Sequence, residues 1–91
     1  MEKLSDISLL GKYNHRQVII NEYLDEDYLN ERQGFHFETV IVTEAGIAFT
    51  RKEKKDFLIP LESSTRFYVN DDFQNYYILR VGSTRIEVYF P

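Results

Sequence analysis

The sequence predicts an all-β fold, a single small antiparallel barrel or sandwich built as a meander of about six to eight short strands. Three observations lead there. Short runs alternate apolar and polar residues, as half-buried strands do. The runs are separated by turn residues at a spacing of roughly 8–12 positions. Seven Tyr, seven Phe and frequent Val, Ile and Thr supply the residue types that suit a pleated surface. Only four Gly and two Pro occur in 91 residues, so no linker is visible and residues 1–91 are expected to form one domain.

From the N-terminus, Ile7 to Tyr13 fits two readings. It pairs as a hairpin with the next strand across Asn14-His15, or it forms a short helix ending at Gly11, because Leu4, Ile7 and Leu10 recur at three-residue spacing. Arg16 to Glu22 is a strand centred on Val18-Ile19-Ile20. Asn21 to Gln33 carries helix punctuation: Asn21 as a cap, acids early, Arg32 late and Gly34 just past the end. Its apolar stripe of Tyr23, Leu24, Tyr28 and Leu29 is narrow, so one short helix near residues 22–33 competes with an acidic loop.

From Phe35 onward six strands are expected, in one antiparallel meander. Phe35 to Thr43 is a long β-branched run, turned by Thr43-Glu44-Ala45-Gly46 with Gly46 free to take positive φ. Gly46 to Arg51 places Ile47 and Phe49 inward, and Asp56 to Leu61 does the same with Phe57, Ile59 and Leu61. Pro60 lacks an N–H, which marks an edge or a bulge. Thr65 to Asn70 sets Phe67 and Val69 against Arg66 and Tyr68, and Asn70-Asp71-Asp72 supplies turn chemistry. Tyr76 to Val81 is apolar on both sides, as a central strand would be. Gly82-Ser83 then makes a two-residue hairpin turn into Arg85 to Phe90, whose inward residues are Ile86, Val88 and Phe90. If that last strand lies at a sheet edge, it is available for pairing.

Composition narrows the chemistry. Without cysteine there is no disulfide framework, thiolate metal site or cysteine nucleophile. No apolar run approaches the roughly 18 residues of a membrane-spanning helix, and the N-terminus lacks the pattern of a signal peptide. A cytoplasmic protein without a membrane partner is therefore expected. The two histidines, His15 and His36, lie in a turn and on a strand, and Ser63, Ser64 and Ser83 lie in turns. No Ser sits in a nucleophile elbow. The dispersed Gly11, Gly34, Gly46 and Gly82 form no phosphate-binding loop. No catalytic residue, cofactor or metal is assigned, and a non-enzymatic protein is expected.

Three clusters remain. Glu22, Asp25, Glu26, Asp27 and Glu31 are acidic, but the calcium-loop pattern fails where Leu29 and Asn30 stand. A metal-dependent enzyme built on residues 22–31 is the weakest alternative. Arg51, Lys52, Lys54 and Lys55 crowd one hairpin tip, where lysines keep an edge soluble. The formal charge of −4 opposes nucleic-acid binding over most of the surface.

The third cluster is a face. Strand parity and counting outward from Gly82-Ser83 place Arg66, Tyr68, Tyr76, Arg80, Arg85 and Tyr89 on one side of the sheet. Tyr and Arg are enriched at protein interfaces. The simpler alternative is a set of cross-strand pairs on an exposed sheet. The leading functional expectation is a protein-interaction module whose partner is another protein or a second copy, with a regulator or inhibitor of a protein partner as a variant of it. The alternative is a single-stranded nucleic-acid binder that combines the basic tip with this face.

Overall fold

The computed structural model describes residues 2–25 and 27–91. Among the described residues, eight strands and one 3-10 helix follow in the order β1 (Glu2–Leu4), the helix Ser8–Lys12, β2 (Asn14–Leu24), β3 (Tyr28–Val42), β4 (Gly46–Arg51), β5 (Lys54–Pro60), β6 (Arg66–Val69), β7 (Tyr76–Val81) and β8 (Thr84–Tyr89). All described pairings are antiparallel, and the strand order is β1-β6-β7-β8-β2-β3-β4-β5. The sheet does not close, so the all-β fold is an open, barrel-like sandwich with β1 and β5 at its two edges.

β3 is the corner. Its first part pairs with β2 as far as Thr39, and Val40, Ile41 and Val42 pair with β4. The sheet folds over itself there. Phe49 of β4 packs with Phe90, just after β8, at 6.4 Å between ring centroids, although β3 and β2 separate those strands in the sheet order. Phe35 likewise reaches Phe57 of β5 across β4, at 5.2 Å. Inward residues from both layers thus fuse into one buried cluster, with Phe49, Phe90, Ile47, Val18, Leu79 and Val88 at its dry centre.

The 3-10 helix plugs this core. Leu10 is fully buried, and Ile7 and Tyr13 flank it. The Tyr13 ring stacks on Phe90 at 3.9 Å. Its hydroxyl donates to Asn75 Oδ1 at 2.8 Å, so the 2.7 Å contact with Tyr77 must be a bond that Tyr77 donates. Burial, with help from that bond, raises the Tyr13 pKa above the ordinary tyrosine value.

The β7–β8 hairpin has the expected register, with Val81 opposite Thr84 and Arg80 opposite Arg85, and Gly82 at φ 57°. Pro60 lies on the edge strand β5. The structure decides five further readings. Residues 22–33 hold no helix among the described positions: β2 and β3 continue their ladder out to Leu24 opposite Tyr28. Cross-strand pairing overrides local helix punctuation, and Gly34 sits opposite Ile19 instead of ending a helix. Of the two readings of Ile7 to Tyr13 the short helix is the one that forms, as the 3-10 helix Ser8–Lys12 ending one residue past Gly11, and the hairpin does not.

The meander is broken between β5 and β6. These strands lie at opposite ends of the order, one beside β4 and the other between β1 and β7. The Glu62–Thr65 turn, closed by Thr65 N–H donating to Glu62 O at 3.0 Å, lies on the connection. Gly46 does not take positive φ, since Gly82 is the only described glycine that does. Gly46 is needed for space instead: a Cβ there would lie 2.7 Å from the Ile59 carbonyl oxygen. Finally, β8 is no edge, because β7 and β2 flank it. Among the described residues no helix is long and apolar enough to cross a membrane.

Candidate interaction face

Side chains alternate across each strand, so the register decides which residues meet. Three rows cross the outer face of β6, β7, β8, β2 and β3. The first runs Arg66, Arg80, Arg85, Tyr23. The second runs Tyr68, Ile78, Glu87, Asn21, Arg32. The third pairs Tyr76 with Tyr89, beside Ile19. All six residues named from the sequence (Arg66, Tyr68, Tyr76, Arg80, Arg85 and Tyr89) therefore share one face.

The face is a built surface with its own packing. Ile78 at its middle is only 5% exposed although it points away from the main core. Tyr76 and Tyr89 stack with planes 8° apart and centroids 5.0 Å apart, and Phe73 extends the aromatic line at 5.6 Å from Tyr76. Phe73 itself is 63% exposed. The Tyr76 hydroxyl donates a short hydrogen bond to Glu87. Burial first, and the carboxylate second, raise the Tyr76 pKa above the ordinary value.

Three arginines in one row would repel if they were left alone. Arg85 is drawn aside: its guanidinium lies 4.2 Å from the Tyr23 ring centroid, and its Nε is 3.1 Å from Glu87 Oε2. Arg32 reaches the Tyr89 hydroxyl at 3.4 Å from the next strand but one. Two shallow depressions result. One lies among Ser64, Arg66, Tyr68 and Arg80. The other lies among Asn21, Tyr23, Arg32, Tyr76, Glu87 and Tyr89. Asn21 lines the second, is 4% exposed, and leaves its buried Oδ1 without a hydrogen bond.

Tyr23, Asn21, Arg32 and Phe73 are members that sequence reasoning missed. A helix or loop at 22–33 hides the first three, because it breaks the period-2 parity that continues from Val18 and Ile20. Continuing that parity through Asn21 and Tyr23 finds two of them. Phe73 sits in a turn and offers no periodic signal.

The basic residues do form the β4–β5 tip, with Arg51 opposite Lys54. Arg51 is partly used up: its guanidinium lies 4.9 Å from the Phe35 ring centroid, and its Nε donates to Lys55 O at 2.9 Å. Lys52, Lys54 and Lys55 are exposed. In the strand order β2 and β3 stand between β4 and β8, so tip and Tyr/Arg face occupy different parts of the sheet.

The acidic residues spread along the β2–β3 hairpin. Glu22 sits opposite Glu31 and accepts from Asn30 Nδ2 at 2.8 Å, while Glu31 accepts from Gln33 Nε2 at 2.7 Å. Asp25 and Asp27 lie at the tip, and Glu26 falls outside the described residues. Among the described residues no three His, Cys, Asp or Glu converge as a metal set.

What this face can do chemically is present flat aromatic area together with forked donors. Comparison with protein-family models, curated proteins and solved structures finds no match for the chain.

Proposed function

We propose that this chain is a non-enzymatic, cytoplasmic β-module that binds another protein through the outer face of β6, β7, β8 and β2. One observation carries the reading: Tyr23, Tyr68, Tyr76 and Tyr89 share a single face with Arg32, Arg66 and Arg80, with the exposed Phe73 at its rim. Tyr and Trp supply large amphipathic contact area at low entropic cost, and Arg supplies planar, forked donors. The stacked Tyr76–Tyr89 pair is already ordered by Glu87 and Arg32, so little freedom remains to be lost on binding.

Charge indicates the partner's chemistry. The chain as a whole is acidic at −4, yet this face gathers arginines. A partner segment bearing carboxylates and a hydrophobic or aromatic anchor fits it, and rim charges of this kind steer encounter. The test is site-directed photo-crosslinking in cells. A benzophenone residue replacing Tyr68 or Tyr89 should trap one protein, and the same residue replacing Lys12 on the 3-10 helix should not. Equal trapping from both positions, or none from the face, rejects the reading.

A further inference from the structure

We infer that the depression on β6 and β7 is an anion site, and that the anion it takes is the phosphate monoester of a phosphorylated side chain on the partner. The inference rests on the protein-binding reading above and deepens it by naming the partner's charged group.

The first observation is local charge. Lys3 of β1 lies directly opposite Tyr68, and Arg66 lies directly opposite Arg80, so these four residues share the outer face. Arg85 of β8, opposite Arg80, adds a fourth outward cation on β1, β6, β7 and β8. Glu87 is the one outward carboxylate on these strands, since Glu2 lies opposite Val69 on the other face. Glu87 is already engaged by Arg85 Nε at 3.1 Å and by the Tyr76 hydroxyl. Among the described residues neither Lys3 nor Arg66 has a carboxylate partner. This excess of positive charge stands on a chain whose formal charge is −4.

The second observation is the shape and its donors. Ser64, Arg66, Tyr68, Arg80 and Gly82 line a depression of about 380 Å³, and no acid is among them. Residues directly opposite across an antiparallel pair have Cβ atoms roughly 4.5–5.5 Å apart, so the Arg66 and Arg80 forks can reach one anion together. Lys3 is a diagonal neighbour of Arg66, a separation that long side chains span. The Ser64 and Tyr68 hydroxyls add two further donors. Beyond the depression Ile78 and the stacked Tyr76–Tyr89 pair continue the face, which gives a peptide carrying the anion a surface to lie on.

The third argument concerns which anion matches. A carboxylate has one charge and two coplanar oxygens, which a single arginine fork satisfies. Two like charges set directly opposite are unfavourable, and an anion shared between them offsets the repulsion. A phosphate monoester carries close to two negative charges at neutral pH and three strong acceptor oxygens. Their tetrahedral arrangement lets two forks and a lysine approach from different sides. A nucleic-acid phosphodiester carries a single charge and is the poorer match.

Phenyl phosphate titrated into isotope-labelled protein at physiological salt, followed by NMR, tests the site. Amide shifts should saturate around Ser64, Arg66, Tyr68, Arg80 and Gly82. Phenyl sulfate, of the same shape but with one charge fewer, should bind about 5-fold more weakly. Arg66→Gln should weaken phenyl phosphate by about 10-fold and Arg66→Lys by less, with the spectrum reporting that each variant is folded. Lys54→Gln at the basic tip should change nothing. An N-acetylated phosphoserine amide, run in parallel, shows whether an aryl or an alkyl phosphate is preferred. Shifts centred on the basic tip, equal binding of phenyl sulfate or inorganic phosphate, tighter binding of a single-stranded oligonucleotide, or indifference to Arg66→Gln would each overturn the inference. Phosphatase treatment of a lysate before irradiation should also abolish the crosslink formed from Tyr89. A crosslink that survives phosphatase overturns the inference and leaves the protein-binding reading standing. If no protein is trapped, that reading and the partner's phosphate fall together, while the titration still decides the anion site.

Discussion

The two faces of β7 and β8 use aromatic residues for different ends. Inside, Phe90 meets Phe37, Phe49, Tyr13 and Tyr77 with ring centroids between 3.9 and 6.4 Å, and the phenylalanines there are closed to solvent. Outside, Tyr76 and Tyr89 stack with their hydroxyls held by Glu87 and Arg32, and the surface remains open. Adjacent residues such as Tyr76 and Tyr77 belong to opposite systems. The inner set converts apolar area into stability. The outer set stays partly exposed, and Phe73 at its rim is open to solvent, which leaves area for recognition. Phe for the core and Tyr for the surface is nearly the rule. Tyr13 and Tyr77 break it inside, where each hydroxyl finds a partner, and Phe73 breaks it outside.

If the contrast holds, substitutions on the two faces separate cleanly in urea denaturation. Phe49→Ala should cost about 3–5 kcal/mol, because it empties the centre of the cluster. Tyr89→Ala should cost well under half as much, since its ring is only partly covered. Comparable losses at both positions would erase the distinction.

A subtler change probes the inner polar exception. Tyr13→Phe keeps the ring stacked on Phe90 but orphans Asn75 Oδ1 and the Tyr77 hydroxyl. The expected loss is about 1–3 kcal/mol. Tyr89→Phe, whose hydroxyl has only the long contact with Arg32, should change stability by a few tenths of a kcal/mol, within about ±0.5 kcal/mol.

Alkaline pH sharpens the same point. Tyr13 and Tyr76 have pKa values raised in the folded chain above the ordinary 10.0. A raised folded-state value means that the neutral hydroxyl is favoured in the fold. Its contribution is complete below pH 10.0 and is lost as pH rises beyond that value. Chemical denaturation between neutral pH and pH 11 should therefore show stability falling above roughly pH 10, with a shallower fall in Tyr13→Phe. A flat profile would remove the buried hydroxyl network from the account.

Two glycines extend the comparison to the backbone. Gly46→Ala meets the Ile59 carbonyl oxygen, whereas Gly82→Ala meets open space and suffers only from φ 57°. The first should lower stability by about 1–3 kcal/mol, and the second by about 1 kcal/mol. Thermal denaturation of the pair tests whether the β4–β5 contact is as close as described.

Much of the candidate face was legible because parity is local. Once Ile86, Val88 and Phe90 are set inward, Arg85, Glu87 and Tyr89 must face out, and Gly82-Ser83 carries the register to Tyr76 and Arg80. The β2–β3 arm was not legible. Its polar residues around 22–33 satisfy helix punctuation locally, and only the ladder between the two strands, which is a non-local interaction, overrules it. The break between β5 and β6 was hidden for a related reason: alternation marks a strand but not its neighbour, and the Leu61–Thr65 connection differs little from the other turns. Asn21, a polar residue buried on the outer face, follows an apolar run and carries no motif of its own.

The central claim is that the outer Tyr/Arg face, and not the core or the basic tip, carries the module's binding. Its most direct measurement is calorimetric titration of the crosslinked partner, once purified, into wild type and into the Tyr68→Ala, Tyr89→Ala variant, with melting temperatures measured alongside. Two hot-spot tyrosines lost together should weaken binding by ~100-fold or more while the fold persists. Unchanged affinity in a folded double variant would contradict the claim.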